Sequence, residues 1–231
     1  MNLGLYRGNR SASAPFAPRQ DFAYARSYLA LRQTVGWIGI FLPAVLIAGN
    51  ALLFHGAPFI HSLSRYYYTE MRNVFVGGLC AMAVFLFHYC GPVRRQRVPA
   101  FLAGIFALGV AFFPVAQADQ PIGPTAAVHY ACALGLFLTL ALMSLLLFGR
   151  GPDAAGFRNR RNIAIHRACG LIVIGSVAMN IWHAVAADCD KAQCGFVLWT
   201  ETAALAAFGI SWLVEGRSFA GAAAEPEARA A

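Results

Sequence analysis

Ser176, Asn180 and His183 are separated by four and then three residues, so on a helix they form one stripe. His129 and Cys132 share a face in the same way. Glu201, flanked by Thr200 and Thr202, stands six residues beyond Gly195, where an apolar run begins. Asp119 lies in the proline-bounded loop "DQPIGP", and Tyr66, Tyr67 and Tyr68 are followed closely by Glu70 and Arg72 in "SLSRYYYTEMRNVFVGG". Three kinds of chemistry could use these residues. Tyr67, Glu70, Arg72, Asp119, His129, Asn180, His183 and Glu201 could line a pocket for a lipid headgroup or another amphipathic ligand, the planar guanidinium facing a phosphate or carboxylate. His129, His183 and Glu201, with Asp119 beside them, are the ligand types of a hydrolytic zinc site that keeps a position open for water. His88 with His166, and His129 with His183, could instead be axial ligands of two haems in an electron-transfer protein.

These residues fall in or beside long apolar stretches. The chain of 231 residues is 59% hydrophobic and only 12% charged, with a mean hydropathy of +0.57; ordinary soluble domains carry about 25% charged residues. Six stretches approach or exceed the roughly 20 apolar residues that a spanning helix needs: Thr34 to Phe54, Asn73 to Tyr89, Val98 to Ala116, Ala126 to Phe148, Ile163 to Ala187 and Gly195 to Val214. Strand alternation is absent, which excludes a barrel. The expectation is an all-α, six-helix transmembrane bundle over residues 34–216, preceded by a segment 1–33 and followed by a disordered tail 217–231. Phe22, Ala25 and Leu29 recur at helical spacing beside Arg19, Arg26 and Arg32, which predicts a short interfacial helix before the first span.

Cations set the orientation, because Lys and Arg in short loops stay on the cytoplasmic side. Arg7 to Arg32 precede the first stretch; Arg94, Arg95 and Arg97 separate the second from the third; Arg150, Arg158, Arg160, Arg161 and Arg167 surround the start of the fifth; Arg217 follows the sixth. Only Arg65, Arg72 and Lys191 fall on the other side, so both termini are expected in the cytoplasm. The net charge of +8 is spread over these loops, a distribution that suits anionic membrane lipids as partners and not nucleic acid, which needs a gathered basic face. The excess of arginine over the single lysine points to the inner (plasma) membrane of a GC-rich bacterium; the Arg-rich N-terminus also fits a presequence for the mitochondrial inner membrane. Cys189 and Cys194, flanking "DKAQ" in an outer loop, are expected to form a disulfide.

"SLSRYYYTEMRNVFVGGL", "HYACALGLF" and "WTETAALAAFGISWLVEG" together resemble a family of uncharacterised six-span bacterial integral membrane proteins, over about Arg26 to Gly216. The resemblance implies the six-helix fold and an outer-side polar cluster, and brings no activity with it. A fainter likeness is to the alkaline-ceramidase-like transmembrane hydrolases, which use a Ser, an Asp and three His, two of them as His-x-x-x-His in a late helix. Here the sixth stretch has no histidine and His-x-x-x-His occurs nowhere.

Overall fold

The structure, a computed structural model, describes residues 18–57, 59–89, 94–117, 120–149, 160–186 and 195–228, with side chains described between residues 30 and 217. Every regular element among the described residues is helical. The six long helices are α1 (Pro18–Leu52), α2 (Arg72–Phe87), α3 (Arg97–Phe112), α4 (Pro124–Leu142), α5 (Arg160–Ala186) and α6 (Phe196–Ala228). A 3-10 turn, Leu63–Tyr68, lies between α1 and α2, and a shorter one, Arg94–Gln96, leads into α3.

Local chemistry fixes several boundaries. Pro124 opens α4 at a position where its missing N–H is no loss. α4 passes into one π-helical stretch, Met143–Leu147, which Gly149 leaves at φ 71°, the left-handed region that glycine enters without strain. α3 stops at Phe112, four residues short of the sequence expectation, because Phe113 precedes Pro114 and is pushed into extended backbone. Two other expectations are corrected. α1 is one helix of 35 residues, with no break between an interfacial segment and a span. The tail expected to be disordered continues α6 as far as Ala228, through an alanine-rich run of high helix propensity.

Each helix packs on the next in the chain, and α1 closes on α6, so the six make a ring. Small residues allow close approach: Ala100, Ala103, Gly104, Ala107 and Ala111 form a buried face on α3. The backbones of α1 and α6 come close, and a Cβ added at Gly209 would lie 2.6 Å from the carbonyl oxygen of Gly36. Leu31, Phe41, Val84, Phe101, Ile105, Leu138, Leu171, Trp182 and Ile210 stand exposed around the outside, an apolar surface far larger than water tolerates. Among the described residues, four segments are long and apolar enough to cross a membrane: Ala30–Leu52, Pro124–Leu147, Arg160–Ala186 and Phe196–Arg217. α2 and α3 are shorter, at 16 residues each.

Candidate functional site

Polar groups gather at both ends of the ring. At one end the turn Leu63–Tyr68 folds over the bundle, and its three tyrosines have separate tasks. Tyr66 is wholly buried; burial pushes its hydroxyl above the ordinary tyrosine value, partly offset by a hydrogen bond to the backbone of Ile60. Tyr68 donates to the carbonyl of Val115 at 2.6 Å, tying the turn to the end of α3. Tyr67 supports Arg72, whose guanidinium lies 4.1 Å from the centre of the Tyr67 ring and donates to its hydroxyl. Thr69 accepts from the N–H of Met71 at 3.1 Å and so steadies the entry to α2.

Glu201 is carried under this turn by α6. Its Oε2 accepts the backbone N–H of Leu63 at 2.7 Å, while the N–H of Leu198 donates to the carbonyl of His61 at 2.9 Å. Beneath lies a cavity of about 30 Å³, walled by Leu42, Leu63, Phe75, Leu79, Val110, Ala133, Leu136, Phe137 and Leu205, with Ser64 and Glu201 its only polar residues. That volume admits one or two water-sized groups.

The other described residues anticipated for a pocket do not line it. His129 is buried, its Nδ1 2.6 Å from the carbonyl of Phe113, where it satisfies the C-terminus of α3. Asn180 accepts from the hydroxyl of Thr200, linking α5 to α6. His183 is buried and stacks on Phe196, ring centres 5.0 Å apart. Ser176, His129 and His183 are buried in the bundle, in keeping with the cost of polar groups in hydrocarbon, while Asn180 and Glu201 are half-buried. Glu70 and Arg72 are exposed. Asp119, Cys189 and Cys194 lie outside the described residues.

Two of the anticipated chemistries lose their geometry. Among the described residues no three of His, Cys, Asp and Glu come close enough to hold a metal, so His129, His183 and Glu201 do not form a zinc site; His129 bonds Phe113, His183 stacks on Phe196 and Glu201 accepts from Leu63. The inner haem pair is likewise not made. His88 is exposed with its Nδ1 2.8 Å from the carbonyl of Val84 in its own helix, whereas His166 is buried among α6 side chains.

A direct Arg72–Glu201 pair, which two intramembrane charges would favour, is also absent: Arg72 bonds Tyr67 and Glu201 bonds Leu63. The two changes Arg72→Met and Glu201→Gln should therefore add, within about 0.5 kcal/mol, when unfolding of the single and double variants is compared. A coupling well above about 1 kcal/mol would restore the pair.

The opposite end holds a second polar network. Arg32 of α1 donates to the Tyr89 hydroxyl at 3.1 Å, and Tyr89 donates to Gln96 Oε1 at 2.9 Å. Gln96 Nε2 donates to the carbonyl of Leu147 at 2.9 Å and to Glu215 Oε1 at 3.2 Å. Glu215 Oε2 accepts the N–H of Gly149 at 2.9 Å and lies 3.5 Å from His166 Nε2, while His166 Nδ1 is 2.9 Å from Ser211 Oγ. Trp212 closes the circuit by donating to the carbonyl of Arg32 at 2.7 Å. Residues in or next to all six helices thus meet in one buried knot. Ser211, His166 and Glu215 have the types and order of a nucleophile, a base and its carboxylate, yet none is more than 1% exposed. A substrate carbonyl cannot reach Ser211, and the arrangement is a joint.

Gln96 and Tyr89 had no sequence signal beyond residue type. Arg32 was visible only as one of the arginines of the expected interfacial helix. The fold and these two polar centres define a closed six-helix bundle with an apolar exterior. No protein-family model, curated protein or solved structure matches the chain.

Proposed function

We propose that the protein is a six-span membrane protein of the bacterial inner membrane, both termini cytoplasmic, which binds an amphipathic ligand through a small hydrogen-bond-donating head at Glu201. The topology rests on the charge distribution. Exposed Arg94, Arg95, Arg97, Arg160, Arg161, Arg167 and Arg217 belong to the end that carries the buried knot, where anionic lipid headgroups would meet them, against Arg65 and Arg72 at the other.

The observation that carries the binding role is the Glu201 carboxylate at the edge of an apolar cavity. Leu63 satisfies one lone pair of that carboxylate. A carboxylate offers about four acceptor sites, so capacity remains for a donor inside the cavity. The cavity is too small for a phosphate or a sugar, but it matches a primary ammonium, the alkyl chain staying in the surrounding hydrocarbon. This replaces the arginine-lined phosphate pocket that the sequence suggests: the charge that faces the ligand is negative.

Dodecylamine, dodecyltrimethylammonium and dodecanoate, added to the purified protein in micelles, separate the alternatives. Dodecylamine at about ten times its Kd should raise the unfolding midpoint by roughly 3–5 °C. The other two should not, since one has no N–H and is too bulky and the other has the wrong charge. Glu201→Gln should abolish the shift. An equal response from Glu201→Gln, or from dodecanoate, would remove Glu201 as the binding group.

A further inference from the structure

The outer end of α5 brings His183 to a partner that was not anticipated. The ring centres of His183 and His61 are 6.2 Å apart, their planes inclined at 50°. His61 is held through its backbone and His183 through its ring. The carbonyl of His61 accepts the Leu198 N–H at 2.9 Å, which anchors that residue on the first turn of α6. The His183 ring lies almost parallel to Phe196, at 11°, so its rotation is restricted. His183 is 4% exposed, while His61 is only half-buried and gives access from the outer side.

We infer that His61 and His183 form a two-histidine site for a borderline divalent metal, Zn²⁺ or Cu²⁺, at the outer mouth of the bundle. Imidazole nitrogens bind Zn²⁺ at about 2.0–2.1 Å, which places the centres of two rings sharing one ion roughly 5–6.5 Å apart. The observed separation falls within that span, so binding asks for side-chain adjustment and no movement of helices. Imidazole selects Zn²⁺ and Cu²⁺ over Mg²⁺ and Ca²⁺, which prefer oxygen ligands. Only two protein ligands are supplied, so water completes the coordination and exchange is fast, as suits a site that samples metal outside the membrane. The ion would also join the segment before the Leu63–Tyr68 turn to the end of α5. The site is independent of the Glu201 cavity, since Glu201 is not among its ligands.

The test is a Zn²⁺ titration of the full-length protein in micelles, freed of metal beforehand, in competition with a chromophoric chelator. His61→Gln and His183→Gln should each weaken binding at least about tenfold, and His129→Gln should leave it unchanged. Undiminished binding in the His61→Gln/His183→Gln double variant would overturn the assignment, as would an equal loss in His129→Gln. Should a variant fail to fold, Cu²⁺ electron paramagnetic resonance on the wild-type protein decides. Coupling to two imidazole nitrogens is expected, and a spectrum with one or none would end the proposal.

Discussion

Glu215→Ala should lower the unfolding free energy by about 3–5 kcal/mol, the cost of leaving a buried ion uncompensated. The carboxylate takes hydrogen bonds from Gln96 and Gly149, and His166 lies against it. Its loss leaves these groups facing an apolar void and removes a negative charge that acts on Arg32, which is only 4% exposed. Arg32→Met alone should be costly for the converse reason. Arg32→Met combined with Glu215→Leu should be less damaging than the sum of its parts, since two matched apolar groups can replace a buried pair at little net cost. The molecule carries its own reporter in Trp212, which bonds Arg32 and lies 4.7 Å from the Tyr89 ring centre and 5.7 Å from that of Phe148. Denaturation in micelles followed by tryptophan fluorescence would measure these variants together with Glu215→Leu alone. A loss below about 1 kcal/mol for Glu215→Ala would mean that the knot does not hold the helix ends together.

Gly209→Ala should cost about 3 kcal/mol, at the upper end of the usual range for overpacking. The added methyl would meet the Gly36 carbonyl oxygen at 2.6 Å and Ile40 Cγ1 at 2.8 Å. The first of these is backbone and cannot swing aside, so α1 and α6 would have to separate along their length. Gly77→Ala is the control. Nothing lies within 4 Å of a Cβ at Gly77, and alanine's better helix propensity should make that variant neutral or more stable by up to about 1 kcal/mol. Equal thermal midpoints for the two variants would show that the α1–α6 crossing is looser than described.

The existence and places of the six helices could be read from the sequence because each has its own apolar run, and hydrophobicity over such lengths needs no knowledge of partners. Helix order in the ring was not legible, since any apolar face can pack on any other. The inward direction of Ser176, His129 and His183 followed from the cost of exposing them to hydrocarbon. What they would bond did not follow. His129 ends on the carbonyl of Phe113 and Glu201 on the N–H of Leu63, and a backbone group leaves no mark in a residue pattern. Arg32 and Gln96 were concealed by context, the first as one of several arginines ahead of the first apolar stretch, the second between Arg95 and Arg97. A side chain enclosed by the ends of neighbouring helices looks, in one dimension, like any other loop residue. His61 was passed over for the same reason.

The brevity of α2 and α3 bears on the lipid as well as on the fold. Sixteen residues make about 24 Å of helix, against a hydrocarbon layer of about 30 Å. The two helices are neighbours in the ring, so in the proposed six-span arrangement the shortfall is concentrated on one flank, while α4, α5 and α6 match the full thickness. Acyl chains would have to shorten or tilt along that flank alone, at a fraction of a kcal/mol per Å. The annulus around the molecule would then be uneven, richer in short or unsaturated chains beside α2 and α3 than elsewhere, and the protein would favour thin regions of bilayer in one fixed orientation relative to its neighbours.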